Sequence, residues 1–243
     1  KMDAAYMRDT ITPIGEDRLL PVTVKTYQTA VDKISYEIRS LDAKRLIANA
    51  DVTSYTENKG MISMELPIQN LLEKNEEYLL VIQLESGDRM IYYYTRIIES
   101  QNSYVSECID FVRQFNDTTF DSEKAASLST YMEKTTGDNT TLQYVTLNNS
   151  LNQVSWAEFH GTRLTTPVPS VKEITPTYNV IVLDYVVTRV GQNGQSEYYN
   201  VEEYYRVRYT NTRMYLLNFE RTMEEIFRGE NDSISGNSIL LGI

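Results

Sequence analysis

Cysteine is almost missing from this chain. Cys108 is the only one among 243 residues, so no intrachain disulfide can close and no cysteine-based zinc centre can assemble. Histidine is as scarce: His160 stands alone, with no G-x-S-x-G elbow to nominate a nucleophile beside it. The ten glycines include no G-x-G-x-x-G spacing, which removes the common phosphate-cradling loops. No metal or other cofactor is implied. No apolar run approaches the length of a signal core or a membrane span, so no direct membrane insertion by this stretch is expected. Basic residues are outnumbered 23 to 34, and a formal charge of -11 repels nucleic acid and anionic membrane surfaces.

What is abundant is tyrosine, 19 against six phenylalanines. A tyrosine suits a half-buried sheet position, with its ring packed and its hydroxyl in water. The first residue is Lys1 and the last six, from Ser238, are largely apolar, so a longer protein is expected around this chain.

From Leu19 the pattern is strand-like. In VDKISYEIRSLD, Ile34, Tyr36 and Ile38 alternate with Lys33, Ser35, Glu37 and Arg39, a period of two that predicts a half-buried strand. RLIANADVTSYT, MISMELPI and the hairpin EYLLVIQLESGDRMIYYYTRIIE continue the series. About seven short strands before residue 100 predict an N-terminal antiparallel β-sandwich over 1–100. The strand pair ISYEIRSLDAKRLI and the closing hairpin resemble an immunoglobulin- or fibronectin-III-like module of bacterial cell-surface proteins, over about residues 19–99. The paired cysteines and strand tryptophan of true immunoglobulin domains are lacking.

After Ser100 the period changes. Tyr104, Val105, Cys108, Ile109, Val112 and Phe115 recur at helical spacing, predicting a helix over about 103–116 capped by Ser103. A second helix is expected over about 122–134, with Ala125, Leu128, Tyr131 and Met132 inward. TLQYVTL and NQVSWAEFHGTRL then read as strands, and TTPVPSVKEITPT, with three prolines, as an extended surface loop. The stretch 178–219 is a β-meander broken at GQNG and TNT, and Glu220–Phe227 reads as a last short helix. Residues 101–243 are thus expected to form an α+β domain, two helices packed on a curved antiparallel sheet. That order resembles cone-shaped folds in which a sheet wraps around helices.

Trp156, Glu158 and His160 alternate on one expected strand, so all three should share a face, where an indole beside a carboxylate would suit stacking on a sugar ring. Asp184 lies inside the apolar run VIVLDYVV, next to Tyr185, and burial there would raise its pKa; Glu197, Glu202 and Glu203 lie nearby. The segment from Asn231 to Gly236 has Gly242 where a calcium loop needs glutamate. These features lead to a non-enzymatic extracytoplasmic or cell-surface module, binding an envelope protein or glycan. The alternatives are a glycan-binding or carbohydrate-active cleft built on Trp156, Glu158, His160, Asp184 and Tyr185, and a cytosolic homo-oligomeric scaffold.

Overall fold

The structure, a computed structural model, describes residues 9–68, 72–100, 103–132, 141–191, 194–226, 234–235 and 238–239. It is mainly β, with several antiparallel sheets and little helix. The chain divides into two compact units, Lys1–Ser103 with Lys172–Pro176, and Tyr104–Val171 with Thr177–Ile243.

The first unit contains β1 (Ile11–Pro13), β2 (Leu19–Lys25), β3 (Lys33–Ser40), β4 (Leu46–Asp51), β5 (Thr56–Asn58), β6 (Met61–Pro67), β7 (Glu77–Ser86) and β8 (Arg89–Ile98). One sheet has the order β1-β8-β7-β3-β4 and the other β2-β6-β5. All pairings are antiparallel except β1 on β8. The alternation in β3 is realised: Ile34, Tyr36 and Ile38 are buried, and they share one core with Ile62, Met64 and Leu66 of β6 and with Leu80, Ile82 and Leu84 of β7. Two sheets closing on one core are compatible with a β-sandwich. Each fully buried isoleucine contributes roughly 1.5–3 kcal/mol. At the β6–β7 corner, the Tyr78 hydroxyl accepts the backbone N–H of Glu73 at 2.9 Å.

The second unit begins with α1 (Val105–Thr119). Its stripe is buried as expected, through Val105, Cys108, Val112 and Phe115, but Ser103 does not cap it. Tyr104 holds the cap position with φ 47°, its hydroxyl donating to Asn211 and its ring meeting Tyr209 edge-on. The expected second helix is only a 3-10 helix, Ala125–Thr130, with Ala125 and Leu128 inward; residues 133–134 lie outside the described range. Then follow β9 (Tyr144–Thr146), α2 (Leu151–Val154), β10 (Thr162–Arg163), β11 (Val168–Ile174, of which residues 172–174 are counted with the first unit), β12 (Asn179–Val190), β13 (Ser196–Thr210) and β14 (Arg213–Glu225). The sheet order is β10-β12-β13-β14-β9, with β11 also paired to β12. A two-stranded ladder, β15 (Ile234–Ser235) with β16 (Ser238–Ile239), ends the described chain, and the rest of the calcium-loop-like segment lies outside it.

Three expectations are overturned here. The middle of the proline-rich stretch, residues 168–174, is the strand β11 rather than loop; Pro169 is tolerated there because β11 pairs at the border of its sheet, while Pro167 and Pro176 lie outside the strand. No helix occupies 220–225. Phe219, Arg221 and Met223 all point inward at 0% exposure, a period of two that keeps β14 extended. Arg221 disguised that alternation by putting a charge at a core position. Thirdly, NQVSWAEFHGTRL is not a strand but the single turn of α2 followed by tight turns up to β10.

Candidate functional site

The helix-facing side of the meander encloses an ion pair. Glu203 on β13 and Arg221 on β14 are directly opposed in the ladder, and both side chains are 0% exposed. Such burial is unfavourable unless every polar atom is satisfied. Here they are. Oε1 of Glu203 accepts from Arg221 Nε at 2.8 Å and from the Tyr185 hydroxyl at 2.9 Å. Oε2 accepts from Asn116 Nδ2 and the Tyr205 hydroxyl, each at 2.7 Å. Arg221 also donates Nη1 to the Gln153 carbonyl at 3.2 Å and Nη2 to the Val154 carbonyl at 3.0 Å, closing the end of α2. One carboxylate therefore ties β12, β13 and β14 to α1, and one guanidinium ties β14 to α2. Asn116 extends the chain of contacts outward, its Oδ1 accepting from Arg163, which also bonds Asp117 at 2.8 Å.

Trp156 lies beneath that guanidinium, with Arg221 Cζ 3.9 Å from its ring centroid and the Phe120 ring stacked at 5.4 Å. It is 4% exposed and offers no open stacking face. The local reason is a helix stop. Ser150 and Gln153 form a reciprocal capping box at the start of α2. At its end, the N–H of Ala157 reaches the Asn152 carbonyl at 3.0 Å and that of Trp156 reaches Gln153 at 3.4 Å. That is the Schellman pattern, whose left-handed residue is usually glycine; here it is Trp156, with φ 59°. His160 is left-handed too, at φ 53°, and both it and Glu158 are exposed. The three residues therefore do not share a strand face: a helix end and a turn replace the strand, burying the indole and leaving the other two at the surface.

Asp184 and Tyr185 part in the same way. Tyr185 points inward into the Glu203 network, whereas Asp184 is exposed. Asp184 lies directly opposite Glu202, and Glu202 opposite Thr222, on the outward face of the sheet. With Thr165, Asn200 and Glu224 they line an open depression. The fully buried acid is thus Glu203, which follows the exposed Glu202 in sequence and opposes Leu183. A signal for it existed: Glu203 falls in step with Tyr199, Val201, Tyr205 and Val207, and Arg221 with Phe219 and Met223, so opposite charges sit on two apolar faces. Glu197 forms a smaller cluster. Burial raises its pKa, but hydrogen bonds from Tyr199 at 2.6 Å and Arg189 at 2.7 Å leave it net lowered.

Burial and the Glu203 charge hold the hydroxyls of Tyr185 and Tyr205 well above the usual tyrosine range, and burial with Glu197 does the same for Tyr199. These folded pKa values are raised, so the stability they contribute is complete below the unfolded value of about 10 and is lost as pH rises beyond it. Alkaline titration followed by tyrosinate absorbance should show exposed tyrosines ionising first, and these three only as far-ultraviolet circular dichroism collapses. Full ionisation with the fold intact would contradict the enclosure.

No protein-family model matches the chain, and no curated protein sequence matches it. Among the described residues, no helix is long and apolar enough to cross a membrane.

Proposed function

We propose that the chain is a non-enzymatic binding module of the extracytoplasmic, cell-surface kind, whose second unit receives a basic segment of a partner protein on its outward sheet face. One observation carries this reading: the exposed Asp184 of β12 and Glu202 of β13 oppose each other, with Glu224 in the same depression. Like charges in direct cross-strand register destabilise a sheet by roughly 0.2–1 kcal/mol, a cost that a cationic partner would offset. The buried pair fits a scaffold role, because each carboxylate lone pair and the guanidinium are already engaged inside the fold. Trp156 is enclosed, which takes the indole platform away from a glycan cleft in this unit.

Support for an immunoglobulin-like first unit comes from its connectivity. The order β8-β7-β3-β4 against β2-β6-β5 corresponds to a Greek-key sandwich with its G-F-C-C′ and B-E-D sheets. Tyr78, at the start of β7 and bonded to the backbone five residues upstream, occupies the place of the tyrosine corner of such sandwiches.

The test is an amide chemical-shift titration with an oligolysine peptide, an oligoglutamate peptide and a neutral oligosaccharide. The expected result is a salt-sensitive response to oligolysine alone at β12–β14, abolished by Asp184→Asn with Glu202→Gln. A response to the neutral sugar on that face would favour the glycan reading. Silence towards all three, or indifference to charge, would retire the proposal.

A further inference from the structure

A second depression lies in the first unit, where two turns are clamped together. The hairpin joining β5 to β6 turns at Lys59 and Gly60, with φ 49° and 75°, as a two-residue turn with both central angles positive requires. Beside it, the Thr29 N–H returns to the Thr26 carbonyl at 2.9 Å around Tyr27 and Gln28, with φ 48° and 70°. The Thr26 N–H and hydroxyl both reach the Gly60 carbonyl, at 2.9 and 3.2 Å, locking the turns to each other.

The residues in the second turn are costly choices. Positions with positive φ favour glycine and asparagine, and an ordinary side chain there costs roughly 1–2 kcal/mol. Tyr27 recovers little of this by packing, since it is 78% exposed. Tyr27 is among the residues lining the depression, with Lys25 Nζ 4.8 Å from its ring centroid. Lys59 lines the same hollow, and Glu57 is the single carboxylate among its lining residues. Among the described residues, the backbone N–H groups of Tyr27, Gln28 and Ala30 are not engaged by other backbone groups and lie on exposed residues. In a chain of formal charge -11, this hollow is lined by one more cation than anion.

We propose that this depression binds an acidic saccharide. Its carboxylate, sulfate or phosphate group is held by Lys25, Lys59 and the loop amides, and its ring lies against the Tyr27 phenol. Glu57 favours a sugar over a bare ion, because a carboxylate repels an anion but accepts hydrogen bonds from hydroxyls. Charge-assisted contacts to the oxyanion supply affinity, and the aromatic ring supplies selectivity for a flat, weakly polar face.

The experiment is an amide chemical-shift titration of the intact chain with oligogalacturonate, a heparin-derived oligosaccharide, a neutral maltooligosaccharide and inorganic phosphate. The expected result is a response at residues 26–30 and 57–60 to one or both acidic sugars, and none to the neutral sugar. Affinity should fall about tenfold in Lys25→Gln with Lys59→Gln, and by a similar factor in Tyr27→Ala. These residues are exposed, so unchanged thermal unfolding would separate lost binding from lost fold. An equal response to phosphate would mean a plain anion site and overturn the saccharide assignment. No response to either acidic sugar, or responses away from these turns, would overturn the site.

Discussion

Glu203→Gln should destabilise the second unit by about 3–5 kcal/mol, as expected when one partner of a buried ion pair is removed. The amide keeps one acceptor, but its NH2 would face donors already aimed at it, and the Arg221 charge would remain inside without compensation. Arg221→Met should lose a comparable amount, because it strands the carboxylate and uncaps the Gln153 and Val154 carbonyls. The informative variant is the double change Glu203→Gln with Arg221→Met. With the charge removed from both sides, its loss should be well below the sum of the two single losses. Denaturant unfolding of the four proteins measures this coupling, and simple additivity would show that the pair is not an energetic unit.

Trp156→Ala should cost about 3–5 kcal/mol, the range for emptying a large aromatic site. Trp156→Gly removes one more carbon, and at an ordinary position it would be the worse change. At φ 59° the order should invert, with glycine more stable than alanine by roughly 1 kcal/mol, because only glycine adopts the left-handed helix stop without strain. Equal or greater loss in the glycine variant would mean that the helix stop carries no strain. The unpartnered Trp156 Nε1–H bears on the same comparison. A buried donor without an acceptor costs roughly 1–3 kcal/mol, so the indole stays through its contacts with Arg221, Phe120 and Phe159 rather than through its polar atom.

These two sites also show where the sequence was legible. The alternation of Ile34, Tyr36 and Ile38 and the stripe from Val105 to Phe115 are plain because each matches one period without interruption. The three strands of the meander were legible up to Phe219, but the continuation of β14 to Glu225 read as a helix. The meander's polar core was missed because Glu203 and Arg221 each interrupt an apolar face, and the partner that makes the interruption tolerable lies on a different strand. Asp184 drew attention through its sequence neighbours, yet a strand sends neighbours to opposite faces, so VIVLDYVV says little about the burial of its central acid. WAEFH resembled a strand because aromatic residues favour sheets. What decides its shape is the Ser150–Gln153 capping box just before it, which was visible, and a left-handed tryptophan, which was not.

Because Trp156 is the chain's single tryptophan and lies in the second unit, the molecule carries a built-in optical marker for one of its two halves. Indole emission would follow the melting of the helix-and-meander half while the first unit stayed dark at those wavelengths, and far-ultraviolet dichroism would sum over both. Coincident curves would describe a chain that unfolds as one cooperative body, and displaced curves would give each half its own midpoint.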